Sequence, residues 1–161
     1  MGFEIIRGTH RDARKVIDWL LKIYNDKDRV CFGFFDMENP ESVVVVYKPS
    51  VGGMVLDLVG NLLDPNNKAI VCHYLCVEED RRGKGFARLL IAEAERLAKL
   101  SNMPFMGAYV DGSDQIELWK RLGFPYQSNV GYTVTMFKRS LHDVFDEQKV
   151  QNSIRNNIKL Y

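Results

Sequence analysis

The chain has 161 residues, enough for one domain built on a single sizeable core. An apolar fraction of 46% and a charged fraction of 27% describe a globular protein, and a net charge of +1 leaves no basic excess for gripping nucleic acid. No apolar run approaches the ~20 residues that span a bilayer, and Glu4 and Arg7 interrupt any apolar leader, so a cytoplasmic protein with neither nucleic-acid nor membrane partners is expected.

Phe3 to Arg7 alternates and reads as a first strand. Thr9 opens Thr-x-x-Asp12, a capping-box variant, before a helix with Ala13, Val16, Ile17, Leu20, Leu21 and Tyr24 on one face. Asn25 to Arg29 is a polar turn; Val30 to Phe35 reads either as a short second helix or as an irregular aromatic segment. Val43 to Tyr47 is β-branched and predicts a strand, Lys48 to Gly53 a turn, and Met54 to Leu63 the returning strand with Gly60 as a candidate bulge. Asp64 to Asn67 is again a turn, and Ala69 to Val77 a further strand.

That strand runs into Arg82-Gly83-Lys84-Gly85-Phe86-Ala87, and a helix follows with Leu89, Leu90, Ala94, Leu97 and Ala98 three and four apart. A glycine turn that opens a helix aims N–H groups and the positive end of the helix dipole at one point, where a phosphate or pyrophosphate fits. The nucleotide-binding spacings are not met. Lys84 lacks the earlier glycine and the following hydroxyl of the Walker pattern, and Arg88 stands where a dinucleotide fingerprint needs glycine.

Pro104 marks the end of the long helix, Phe105 to Val110 is the next strand, and Gln115 to Leu122 a short helix with Gly123 as its C-cap. Phe124 to Ser128 and Tyr132 to Lys138 are two strands around a turn at Asn129 to Gly131. Beyond them Val150, Ile154 and Ile158 stand four apart, a narrow-striped polar helix. The order predicts an α/β (α+β) fold: a mixed, mostly antiparallel twisted sheet flanked by helices. Residues 1–140 form the domain and 141–161 an extension.

Arg82, Gly85 and Ala87 fill Arg/Gln-x-x-Gly-x-Gly/Ala, and Leu118-Trp119-Lys120-Arg121-Leu122-Gly123-Phe124 lies downstream. Together they resemble the GCN5-related N-acetyltransferase family, at its acetyl-CoA loop and its later Leu-Tyr-x-x-x-Gly-Phe helix, over roughly residues 3 to 140. The resemblance implies acetyl-CoA as co-substrate. Main-chain groups of Leu75, Cys76 and Val77 would meet the pantetheine, and Arg82, Gly83, Lys84, Gly85, Phe86, Ala87 and Arg88 the pyrophosphate. Lys84 and Arg88 read alternatively as solvated surface. Trp119 stands where the family carries a tyrosine that protonates the departing thiolate; an indole cannot do this, but it can pack against the pantetheine arm. Gly112 replaces the family's asparagine seven residues earlier.

An alkylammonium of pKa near 10.4 must give up about 4–5 kcal/mol worth of protonation at pH 7 before it attacks a thioester, so a base is expected. His73 is the candidate catalytic residue, on a face shared with Leu75 and Val77 if the strand alternates regularly; in the family a histidine or glutamate on this strand serves as base. The alternative is a hydrogen-bonded core histidine. Cys31, Cys72 and Cys76 form no disulfide framework, and three scattered histidines offer no metal-ligand spacing. Asp26, Asp28, Asp36, Glu38 and Glu41 lie in the segment that borders the acceptor in this family and suit a small cationic amine, such as a di- or polyamine. A protein lysine or N-terminal amine is the alternative acceptor, and a catalytically silent acyl-CoA-binding module the alternative class. A second copy of the chain is a candidate partner.

Overall fold

The computed structural model describes residues 2–25, 39–64, 67–101, 103, 105–110, 113–130 and 133–139. The strands are β1 (Glu4–Arg7), β2 (Val43–Lys48), β3 (Gly52–Asp64), β4 (Asn67–Val77), β5 (Phe105–Val110), β6 (Tyr126–Val130) and β7 (Thr133–Arg139). The helices are α1 (Ala13–Asn25), α2 (Phe86–Leu100) and α3 (Ser113–Arg121), with single 3₁₀ turns at Pro40–Ser42 and Glu79–Arg81. The strands form one mixed sheet in the order β1-β2-β3-β4-β5-β7-β6, and the expected α+β architecture is observed. The second-helix reading of Val30 to Phe35, the acids from Asp26 to Glu38 and the extension 141–161 fall outside the described residues.

The chain divides into two compact units, residues 1–58 with 72–94 and residues 59–71 with 95–161. In the first, β1 pairs antiparallel with β2 and β2 with β3, so that Ile6 meets Val45 and Val45 meets Val55. α1 lays Ile17, Leu20 and Ile23 on Val43, Val45, Val55 and Cys76, with Tyr74 and Trp19 packed at the margin. In the second, β5 and β6 flank β7, both antiparallel to it. Phe105, Met106, Ala108, Phe124 and Met136 are among its buried side chains.

Three of the boundaries that move do so for a local reason. α1 starts at Ala13, with the Asp12 carbonyl taking the Val16 N–H at 3.1 Å, so Asp12 rather than Thr9 occupies the cap position. Gly52 and Gly53, read as part of a turn, are strand residues. A Cβ on Gly53 would come within 2.6 Å of the Val46 carbonyl, and one on Gly52 would strike the Cys76 carbonyl, so these glycines permit close backbone approach. The turn itself is shorter, closed by Val51 N–H to the Lys48 carbonyl at 3.1 Å. Phe124, read as the first residue of a strand, instead belongs to the termination of α3, and β6 starts at Tyr126.

Candidate active site

Strand β4 leads into the glycine turn, and several bonds within the first unit fix the junction. The Glu78 N–H donates to the Val51 carbonyl at 2.7 Å, tying the end of β4 to the start of β3. Trp19 Nε1 donates to Glu78 Oε1 at 3.1 Å. Arg82 folds back, its Nε donating to the Val77 carbonyl at 2.9 Å. The motif arginine thus fastens the turn to the strand it follows.

Gly83 and Gly85 have φ of 75° and 85°, in the left-handed region that a side chain disfavours. A Cβ at either would meet nothing within 4 Å, so these positions require glycine for backbone conformation, and the space beside them is open. The Leu89 N–H reaches the Gly85 carbonyl at 3.2 Å, which makes Gly85 the cap of the 15-residue α2. A helix that starts at Phe86 leaves the N–H groups of its first turn without i−4 carbonyls. Phe86 and Ala87 are half-buried, and Lys84 and Arg88 are exposed. Open space, the amides of a helix's first turn, the positive end of its dipole and the exposed Lys84 and Arg88 lie at this turn, a setting that favours an anion. Of the strand residues expected along the pantetheine, Leu75 and Val77 are half-buried, and the Cys76 side chain is buried in the α1 core, leaving its main chain for any contact.

His73 lies on β4 with Nε2 3.5 Å from Asp57 Oδ2, the two side chains 25% and 27% exposed. Asp57 pairs with Val43 across β2 and β3, and Val43 belongs to the core under α1, as do Tyr74 and Cys76. Asp57 therefore lies on the α1 face, and His73 reaches it there. This corrects the expectation that His73 faces away from Tyr74 and Cys76: its ring reaches a carboxylate on the face where those two residues pack. The other Asp57 oxygen, Oδ1, accepts from Ser42 Oγ at 2.7 Å. That hydroxyl also lies 2.9 Å from the Asn39 carbonyl, but it has one proton, and the shorter, charged acceptor draws it. Burial disfavours the Asp57 charge, yet the His73 ring beside it, the Ser42 hydrogen bond and the Leu58 N–H outweigh it, and the carboxyl is held below its ordinary value. Sequence reasoning missed Asp57 and Ser42. The available signal was one acid within the apolar run Met54 to Leu58.

Cys72, next to His73, is no nucleophile: burial, with the nearby Cys76, pushes its thiol well above the usual value despite the contact with the Tyr74 carbonyl at 3.2 Å. In the second unit Trp119 is 5% exposed and packs edge-on against Phe124. Tyr126 is buried, and Tyr109 is half-buried in β5. Among the described residues no three His, Cys, Asp or Glu converge to hold a metal ion. An open cleft of about 410 Å³ between α1 and the β2–β3 turn, walled by Val16, Trp19, Tyr47 and Pro49, contains neither His73 nor the glycine turn.

A sheet of this order, a glycine-capped helix after its fourth strand and a histidine on that strand beside a carboxylate of β3 are in keeping with an acyl-CoA-dependent transferase. The domain model of the GNAT acetyltransferases matches residues 39–125, more than half of the chain, and the protein belongs to that family. Solved structures show the same fold. A GNAT acetyltransferase from Listeria monocytogenes is 17% identical with a TM-score of 0.61, the match covering 85% of this chain and 94% of that one. The PaiA N-acetyltransferase of Thermoplasma acidophilum, in complex with coenzyme A, is 17% identical with a TM-score of 0.56 over 86% and 99%. The ribosomal-protein-S18-alanine N-acetyltransferase of Escherichia coli is 11% identical with a TM-score of 0.59 over 89% and 99%. No curated protein sequence matches the chain. The protein is an acetyl-CoA-dependent N-acetyltransferase that moves an acetyl group to an amine. Acetyl-CoA supplies a thioester that an amine can attack directly, so the chain's task is to orient the reactants and manage the amine proton.

Proposed function

We propose that the acceptor is a small cationic amine of the di- or polyamine class, deprotonated by His73 for direct attack. The observation that carries the base assignment is the His73–Asp57 pair, Nε2 to Oδ2 3.5 Å, on the strand that feeds the glycine turn. An imidazole on that strand can take the amine proton, as a general base must, and the carboxylate beside it can hold the ring in place. In the same reading the main chain of Leu75, Cys76 and Val77 contacts the pantetheine. The amides of Gly83 to Arg88 hold the pyrophosphate, with Lys84 and Arg88 adding charge; Arg82 acts by holding the turn to Val77. The acid-rich composition from Asp26 to Glu41 supports a cationic acceptor, and the buried free thiols of Cys72 and Cys76 are in keeping with a reducing cytosol.

The test is an acetyl-CoA consumption screen over diamines, polyamines, amino acids, aminoglycosides and lysine peptides. Diamines of the putrescine type are expected to react fastest, at rates that fall as salt rises, because screening weakens carboxylate attraction. Lysine peptides outperforming every diamine would replace this reading with a protein acetyltransferase. In the same assay His73→Ala is expected to lose roughly 10²–10⁴ in kcat/KM at neutral pH, with the loss shrinking where free amine is abundant.

A further inference from the structure

We infer that Asp57, anchored by Ser42, is the positioning residue for His73: it orients the imidazole and stabilises the imidazolium formed when the ring takes the amine proton. The inference rests on His73 being the base. Asp57 comes from β3 and Ser42 from the 3₁₀ turn before β2, so two elements outside β4 build the carboxylate that faces the ring. Ser42 Oγ fixes one carboxylate oxygen at 2.7 Å, which leaves the other, Oδ2, turned to His73 Nε2 at 3.5 Å.

Nε2 is closed off from solvent although a quarter of the side chain is exposed, so the exposure belongs to the rest of the ring. A neutral imidazole has one N–H and one lone pair. With the N–H at Nε2 facing the carboxylate, the lone pair sits on Nδ1. In the transfer the ammonium N–H bond breaks and an N–H bond forms on the ring. One positive charge moves from amine to imidazole, and the Asp57 carboxylate stays ionised throughout. The interior position matters, since a charge pair that is three-quarters buried interacts far more strongly than one in open water.

Steady-state kinetics of the full chain, with acetyl-CoA and the best amine of the screen, test this in Asp57→Asn, Ser42→Ala and His73→Gln. Thermal melts and imidazole-nitrogen NMR of His73 accompany them, the His73 signals being assigned by their loss in His73→Gln. Asp57→Asn is expected to lower kcat by about 10- to 100-fold, part of the roughly 10²–10⁴ a general base contributes, with the acetyl-CoA KM within about twofold. Its His73 nitrogen signals are expected to move. Ser42→Ala is expected to shift kcat and the signals in the same direction by less. An inactive His73→Gln beside an Asp57→Asn with wild-type kcat and unmoved signals would overturn the positioning role and leave the base intact. A His73→Gln with wild-type kcat would overturn the base, and the positioning role with it. Should Asp57→Asn fail to fold, Ser42→Ala decides: wild-type kcat and unmoved signals there overturn the proposal.

Discussion

Trp119 and Phe124 close the end of α3 by packing ring against ring, centroids 4.9 Å apart and planes at 81°. Between them Gly123, at φ 98°, reverses the chain: its N–H donates to the Lys120 carbonyl and the Phe124 N–H to the Trp119 carbonyl, each at 3.0 Å. This is a Schellman termination with its apolar contact in place. The residue in the position of the family's tyrosine is thereby part of a structural lock. Trp119→Ala is expected to cost about 3–5 kcal/mol of stability, as for other buried aromatics, and Trp119→Phe much less. Trp119→Phe is expected to keep most of kcat, and Trp119→Tyr not to raise it. A tenfold gain with tyrosine, about 1.4 kcal/mol of barrier, would mean that thiolate protonation limits the rate.

Gly85 offers a cleaner test of the acyl-CoA cradle than a bulky substitution, because a Cβ there meets no neighbour. Gly85→Ala is opposed by its φ of 85° alone. The left-handed conformation costs an L-residue about 1–2 kcal/mol. If the turn relaxes to relieve it, the N–H groups of Gly85 and the first turn of α2 rotate away from their common point. The coenzyme A Kd is then expected to rise by about tenfold, the equivalent of 1.4 kcal/mol. Calorimetry returning the wild-type Kd for a folded Gly85→Ala would remove the cradle from these amides.

The features that could be read from sequence are those in which one residue type answers a local demand. Gly85 and Gly123 each sit at positive φ beside a helix end, and the α1 stripe Ile17, Leu20, Tyr24 follows helical spacing. Asp57 and His73 are sixteen residues apart with a strand boundary between them, and their meeting depends on cross-strand register and on the turn each side chain takes. Neither leaves a local trace. Gly52 and Gly53 were misread because glycine serves tight turns and close backbone approach alike, and only the Val46 and Cys76 carbonyls distinguish the two uses.

Ser50 carries strain that could be removed. Among the described residues it is the non-glycine one at positive φ, 64°, following Pro49 in the turn closed by Val51 N–H to the Lys48 carbonyl. Proline at the second place and positive φ at the third define a type II turn, which favours glycine at the third. Relief of about 1–2 kcal/mol of left-handed strain is offset by the ~0.4–1 kcal/mol by which glycine loosens the unfolded chain. Ser50→Gly is therefore expected to stabilise the protein by up to about 1 kcal/mol, read as a higher urea midpoint at unchanged m-value. A lower midpoint would show that the serine side chain makes a stabilising contact.

Acid stability should follow two carboxylates. Glu95 of α2 accepts from Lys138 of β7 at 2.9 Å, with Lys99 at 3.6 Å, and its side chain is 20% exposed. Burial opposes its charge, but the Lys138 hydrogen bond and the charges of both lysines prevail, so its carboxyl is held below the ordinary value, as is that of Asp57. A carboxyl with a depressed folded pKa contributes stability that is fully present above its unfolded pKa, about 4.3 for Glu and 3.9 for Asp, and is lost as pH falls through the folded value. Wild type should thus exceed Glu95→Gln in stability by a constant margin from about pH 7 to pH 5, and the margin should close below about pH 4.3. Replacing Lys138 by Met removes the partner and leaves Glu95 half-enclosed with Lys99 alone. Its margin should be larger than that of Glu95→Gln near neutrality, because an incompletely paired carboxylate remains in a partly buried site. Urea midpoints taken between pH 3 and pH 7 read both curves. A Glu95→Gln margin that holds constant down to pH 3 would mean that the ion pair does not depress the Glu95 pKa, and its contribution to folding would have to be packing alone.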